Sequence, residues 1–384
     1  MFIAFYIPPK NRQAKKEPLL QLTSNVLESA SIDAGTYVSN NGSMHAGGYA
    51  DIDAGTFVYN AGSMTAEKDA TIDAGTYVAN DHGNMTAENK VTINAGTFVT
   101  NSGNMNAGTE ATIDAKEAVT NSGSMAAGTD ATITAGTTVN NSGSMTAVNN
   151  SKIEAVGTIT NSATGTMVAT NGSSEITSGN SIENSGNMTA GTYAQINAVK
   201  EITNSGNMTA GTNATIIAQT EEITNSGSMN AGENATIMAG TTITNSGSMN
   251  ATNNSTIYAN DLITNTATGT MVATNGSTSI RSAGNIQNAG DMTAGKNATI
   301  TAGETVDNTG NMKSTVGDVS ISANDRIVNQ GLLEATAGSV SITSQNGSVC
   351  NGNIDYPDED IEEIERKISV GTTPGDGTDV YNNV

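Results

Sequence analysis

Methionine recurs in this chain at positions 44, 64, 85, 105, 125, 145, 167, 188, 208, 229, 249, 271, 292 and 312, in steps of 20, 21 or 22 residues. A period of this length restricts the fold to a stacked array, because each unit is one supersecondary element that buries its apolar face only against its neighbours. Residues 111–130, ATIDAKEAVTNSGSMAAGTD, form one clean unit. Aligned on it, the units share a first column of isoleucine that runs from Ile32, Ile52 and Ile72 through Ile113 to Ile321 and Ile342. Six residues after most of these stands a second column, from Val38 and Val58 through Val119 to Val306 and Ile327, in which every residue is β-branched. Two residues further on comes asparagine, from Asn40 through Asn121 to Asn329.

In the clean unit Ala111, Ile113, Ala115, Val119, Asn121, Gly123, Met125 and Ala127 share one parity, and Thr112, Asp114, Thr120, Ser122 and Ser124 take the other. Alternation with period two marks β-strand, whose successive side chains point to opposite faces, and the apolar set faces inward. Gly and Asn at the joints mark three corners per unit, so three short strands are predicted per turn of chain. Where a unit is longer, the extra residues fall at a corner: Asp81-His82-Gly83, Gln219-Thr220-Glu221, Ala163-Thr164-Gly165-Thr166 and Ala267-Thr268-Gly269-Thr270. An insertion inside a strand would send every later side chain to the wrong face, and none occurs.

These patterns predict an all-β chain folded as a right-handed parallel β-helix, a three-faced β-solenoid of about 15 coils of 20–22 residues. The hand follows from the preference of parallel crossovers. Coils stacked at roughly 4.8 Å lay each side chain on its own copy above and below, which makes the expected length roughly 70 Å. The inward Asn column is expected to form a ladder of side-chain amides that satisfies corner groups, which hides it from any sugar or ion. The repeat region spans 31–350. Residues 1–30 are expected to be an N-terminal cap or leader, with Leu19, Leu20, Leu22, Val26 and Leu27 on a short amphipathic helix or a first irregular coil. Residues 351–384 are expected to be an acidic C-terminal cap and tail, with 9 acids against 2 bases and Ile361, Ile364 and Ile368 on one helical face. Caps are expected because a bare solenoid end exposes unpaired strand edges.

Composition narrows the function classes. The 384 residues carry 15 Lys plus Arg against 37 Asp plus Glu, a net charge of −22, so nucleic acid would be repelled over most of the surface. One Cys excludes a disulfide framework, and with two His it makes no zinc site of the usual kind. No cofactor is expected. No run of eighteen or more apolar residues occurs, so no membrane-spanning helix is expected. Phe2 to Ile7 make an apolar run too short for a signal-peptide core, and Lys10, Arg12, Lys15 and Lys16 follow it where positive charges should precede it. The expectation is a chain without an export signal of its own, exported by another route, started upstream or cut from a longer gene.

Two outward features carry candidate chemistry. Tyr37, Phe57, Tyr77 and Phe98 occupy one outward column in four consecutive coils, after which the column turns to Ala118 and Thr138. Such a stripe can stack on sugar rings or dock a partner, unless the N-terminal segment, with Phe2, Phe5 and Tyr6, folds over it. Asp53 and Asp73 occupy one column in adjacent coils, with Asp51 and Asp114 also outward; paired carboxylates suit weak Ca²⁺ binding or acid–base work. That column continues as Asn94, Asp114, Thr134 and Glu154 without a partner base, and the nine bases between residues 21 and 350 are scattered. Solvated surface is the expected role of these acids. Outward threonines before the isoleucine column pair as Thr-x-Thr at Thr132/Thr134 and Thr299/Thr301, too sparse for a flat ice-binding lattice.

Units such as ITNSGSMNAGENATIMAGTTITNSGSMNA (223–251) resemble the repeats of the filamentous haemagglutinin family of large bacterial exoproteins, and the resemblance covers roughly residues 30 to 350. It implies a right-handed parallel β-helix stalk, secretion through a partner transporter of the outer membrane, and a role as an adhesin or as a stalk presenting contact-dependent toxins. The expected function is therefore a non-catalytic, secreted or cell-surface, adhesin-like structural rod that meets a glycan or protein on a host or neighbouring cell. Two alternatives stand beside it: a polysaccharide-active β-helix enzyme resting on acids such as Asp53 and Asp73, and an untranslocated fragment of a larger exoprotein or toxin stalk.

Overall fold

A computed structural model describes residues 3–7, 23–26 and 28–352. The chain falls into two compact units, one reaching Val199 and the other starting at Lys200. Each is a parallel β-solenoid with three strands per turn, and the described residues contain no helix. Counted over both units, the three sheets hold 17, 16 and 16 strands, about 16 turns in all.

One turn of the first unit shows how the repeat becomes structure. Ala70–Ala74 lies in the first sheet, Tyr77–Asn80 in the second and Asn84–Ala87 in the third. The next turn repeats this order with Val91–Ala95, Phe98–Asn101 and Asn104–Ala107. Every strand pairs in parallel with its own copy, so Ile72 lies beside Ile93, Val78 beside Val99, Asn80 beside Asn101 and Met85 beside Met105. The extra corner residues lie outside strands or at their first residue, as at Asp81-His82-Gly83 and Gln219-Thr220-Glu221, so register is kept.

Burial follows the parity read from sequence. Ile113, Val119 and Met125 are all 0% exposed, while Thr120 and Asp114 on the other parity face solvent. Each such side chain contributes roughly 1.5–3 kcal/mol when fully buried, and it gains that burial only because copies from two adjacent turns cover it.

The buried asparagines form the expected ladder. In the first unit each amide Nδ2 from Asn40 to Asn161 donates to the Oδ1 of the next asparagine, ending at Asn184, at 2.7–2.8 Å. In the second unit the same chain runs from Asn204 to Asn351 at 2.6–2.8 Å. The asparagine backbone carbonyl also serves the corner: Asn121 O accepts from Ser122's successor in the next turn, Ser142, at 2.8 Å and from Gly143 at 3.0 Å. Buried polar groups are thus paired along the stacking direction, which is what their burial requires.

Not every buried hydroxyl is so paired. In the second unit the inward column of the first sheet reads Ala235, Ser255, Thr278, Ala298, and the fully buried Oγ of Ser255 and Oγ1 of Thr278 have no hydrogen-bond partner. Ser255→Ala is expected to stabilise the unit by about 1 kcal/mol, since it removes an unpaired buried hydroxyl and restores the column's usual residue. Urea titration of the variant against the parent chain measures it; a loss of stability would show that the hydroxyl is paired after all.

In the N-terminal segment the described residues are strand where a helix was one of the two forms expected. Ile3–Ile7 is a strand that pairs in parallel with Ala30–Ala34 at the edge of the first sheet, and Thr23–Val26 pairs with Ser43–Ala46 in the third. The stretch 17–29 therefore contains a regular solenoid strand rather than a helix over 23–26. Residues 1–2, 8–22, 27 and 353–384, and with them Phe2, Leu19, Leu20, Leu22, Leu27, Ile361, Ile364 and Ile368, lie outside the described residues.

Candidate functional site

Val38, Val58, Val78 and Val99 point inward, so the residue before each points out. Tyr37, Phe57, Tyr77 and Phe98 thereby begin four adjacent strands of the second sheet and lie in strict register. Their rings are stacked: centroids are 5.0, 5.5 and 4.9 Å apart and adjacent planes differ by 6°, 13° and 21°. Nearly parallel rings at such distances cannot lie side by side, because their edges would collide, so they meet face to face with an offset. A column of independent rings would offer four faces to a ligand. Stacking covers both faces of Phe57 and Tyr77, and the end rings are the more exposed, Tyr37 at 38% and Phe98 at 43%. Beyond Phe98 the register partner is Ala118, then Thr138.

The cover envisaged for this stripe is not where the described residues run. Ile3–Ile7 continues the first sheet, whereas the rings stand on the second. The stripe stays half-exposed to exposed along its length.

Two residues after Phe57, Tyr59 also points outward, and its hydroxyl donates to Oδ2 of Asp81 in the next turn at 2.8 Å. Asp81 Oδ1 meets Nδ1 of His82 at 2.7 Å and accepts from the Ser102 hydroxyl at 3.1 Å, while the His82 backbone N–H donates to Ser102 Oγ at 3.1 Å. These bonds hold His82 in the left-handed region at φ 58°, an uncommon conformation for a residue with a side chain. The Tyr59 hydroxyl first, then His82 and Ser102, hold the Asp81 carboxyl below the usual carboxylate range. A depressed folded-state pKa contributes stability at pH values above the ordinary aspartate pKa of about 3.9 and loses it as pH falls through the lower folded value. Tyr59→Phe is therefore expected to raise the Asp81 pKa towards its ordinary value and to weaken this acid-sensitive contribution. Carboxyl-carbon NMR titration reads it, and an unmoved Asp81 would assign the depression to His82 and Ser102 alone. The sequence signal for this node was the Asp81-His82-Gly83 insertion, one turn after an outward tyrosine.

Asp53 and Asp73 are in register on the outer face of the first sheet, and Asp33 extends their column by a turn that the sequence reading passed over. Partial burial first, then repulsion from Asp33 and Asp73, pushes the Asp53 carboxyl upward. Burial likewise raises Asp51, opposed by a hydrogen bond with Thr71. Asn94 caps the column by donating to Asp73 Oδ1 at 2.6 Å. Among the described residues no three His, Cys, Asp or Glu side chains are grouped to hold a metal ion. The pair Asp53 and Asp73 is thus an arrangement of like charges one turn apart.

A second outward apolar column went unnoticed in the sequence because it shows no aromatic rhythm. Ile217, Met238 and Tyr258 follow the inward isoleucines of three adjacent turns in the second unit, and Arg281 closes the column. Met238 is 40% exposed.

No helix among the described residues is long and apolar enough to cross a membrane. No family model matches the chain, and neither a curated protein nor a solved structure matches it.

Proposed function

We propose that this protein is a non-catalytic, adhesin-like structural solenoid of the cell surface or the extracellular medium, which presents the second sheet of its first unit to a glycan or protein on a host or neighbouring cell. The observation that carries this reading is the half-exposed to exposed aromatic column of Tyr37, Phe57, Tyr77 and Phe98, flanked on the same strands by the outward column Ser39, Tyr59, Ala79 and Thr100. A row of exposed rings on a rigid, hydrogen-bonded sheet is pre-ordered for contact, so little conformational entropy is lost on binding. The resemblance of units such as 223–251 to filamentous haemagglutinin repeats supports an exported stalk, with an outer-membrane transporter as the export partner. The acids give less support to an enzyme: Asp33, Asp53 and Asp73 repel one another, and Asp73 is occupied by Asn94.

The test is localisation in the native cells with a C-terminal tag. Loss of the tag when protease is added to intact cells, or its recovery from the medium, is the expected result. A tag that remains protected in the cytosol would overturn the attachment reading. A polysaccharide-cleavage screen is expected to be negative, and cleavage abolished by Asp53→Asn would replace the proposal with an enzymatic one.

A further inference from the structure

We infer that the ring stack ends in a step one ring high, made by the free face of Phe98 above Ala118, and that this step takes a single neutral pyranose ring. The inference rests on the attachment reading and names the ligand of its aromatic column.

The step follows from register. Each turn up to Phe98 adds one ring to the column at a spacing of 4.9–5.5 Å. The next turn places Ala118 there, and the one after places Thr138. A methyl group therefore stands where the stack would continue, and the far face of Phe98 is left without a ring against it. Consistent with this, Phe98 is the most exposed of the four, at 43%, and Ala118 is itself only half-buried.

The surroundings select the ring that fits. An aromatic face carries negative charge density, so it attracts the weakly positive C–H hydrogens on the flat face of a pyranose as well as another aromatic edge or face. The neighbouring outward column on the same strands reads Thr100, Thr120 and Asn140, all exposed, and Lys116 and Glu117 are exposed at the corner before Ala118. Hydroxyls, an amide and a carboxylate beside the step supply donors and acceptors for sugar hydroxyls. An apolar side chain from a protein partner would desolvate those groups without replacing their hydrogen bonds, which carries a penalty. A uronate or sulfated sugar would meet a chain of net charge −22, with only Lys116 to offset it at the step. The favoured occupant is therefore a neutral pyranose.

The experiment uses the purified full chain with maltotetraose and cellotetraose as neutral probes, tetragalacturonate as the anionic control and the peptide Gly-Tyr-Gly as the aromatic control. Saturation-transfer NMR and the Phe98 ring signals report binding. At least one neutral probe is expected to bind and to shift Phe98, with binding weakened tenfold or more by Phe98→Ala and by Ala118→Phe. The second variant closes the step with the protein's own ring at an outward position, and an unchanged or raised thermal midpoint shows that the fold is kept. Neutral probes that fail to bind, neutral probes that bind both variants as well as the parent, or a chain that binds only the peptide or only tetragalacturonate would each overturn the inference. The localisation assay is independent of this one: a protected, cytosolic chain that binds maltotetraose through Phe98 would overturn the attachment reading and leave the step standing. A surface chain that binds no neutral probe would do the reverse.

Discussion

Asn121→Leu is expected to destabilise the first unit by about 2–6 kcal/mol, the sum of two orphaned buried polar groups at roughly 1–3 kcal/mol each. Asn121 is 0% exposed, accepts from Asn101 Nδ2 at 2.8 Å and donates to Asn141 Oδ1 at 2.8 Å. Leucine preserves bulk but leaves a donor below and an acceptor above without partners, in a site that water does not reach. The ladder makes the effect position-dependent. At the first rung among the described residues Asn40 donates to Asn60 and its Oδ1 accepts from the half-buried Gly42 N–H at 3.2 Å, so Asn40→Leu orphans one fully buried ladder partner instead of two and is expected to lose less. Urea denaturation of the two variants, with limited proteolysis to locate the opened turns, measures both. Equal losses below about 1 kcal/mol would mean that the amides exchange their bonds for other partners at little cost.

Gly123→Ala is expected to prevent correct stacking at its corner, with a loss beyond about 4 kcal/mol or failure to accumulate folded protein. A Cβ on Gly123 would stand 2.0 Å from the Gly103 carbonyl oxygen and 2.9 Å from Gly103 N. These are backbone atoms of the adjacent turn, fixed by their own pairing, and they cannot rotate away as a side chain would. The same contact recurs one turn on, where a Cβ on Gly143 would meet Gly123 O at 2.1 Å. Gly35→Ala is the matching control, because among the described residues a Cβ there meets nothing within 4 Å, and it is expected to be neutral. Circular dichroism and thermal melting of the two variants make the comparison; a stably folded Gly123→Ala with an unchanged midpoint would show that adjacent turns can separate at the corner.

The two substitutions mark where sequence reasoning stopped. Asn and Gly were legible as corner residues, but not what the glycine does there. Among the described residues only His82 and Gly352 have positive φ, so the Asn-x-Gly glycines are needed for space against the turn below. Likewise the outward aromatics were legible as a column, from the parity that places Phe57 opposite to Val58. Whether their faces were open was not legible, because that depends on ring rotation about bonds that parity does not constrain. The bond between Tyr59 and Asp81 joins residues 22 apart across a corner of altered length, and within 17–29, where a short helix or a first irregular coil was expected, Thr23–Val26 pairs as a strand with Ser43–Ala46.

The order of letters alone determined the turn length, the three strands per turn, the inward set of Ile, Val, Met, Ala and Asn, and the corners that absorb extra residues. All of these follow from a period of about twenty and an alternation of two, which are local properties of the chain. Only the stacked structure decided that four rings form one stack with a free face at Phe98, that Asp33, Asp53 and Asp73 act on one another, and that a glycine Cβ has no room. Each of these is a contact between side chains or backbone one turn apart, 20 to 22 residues away in sequence. Its distance is set by how copies settle on one another at the strand spacing, and a single turn in isolation does not contain it.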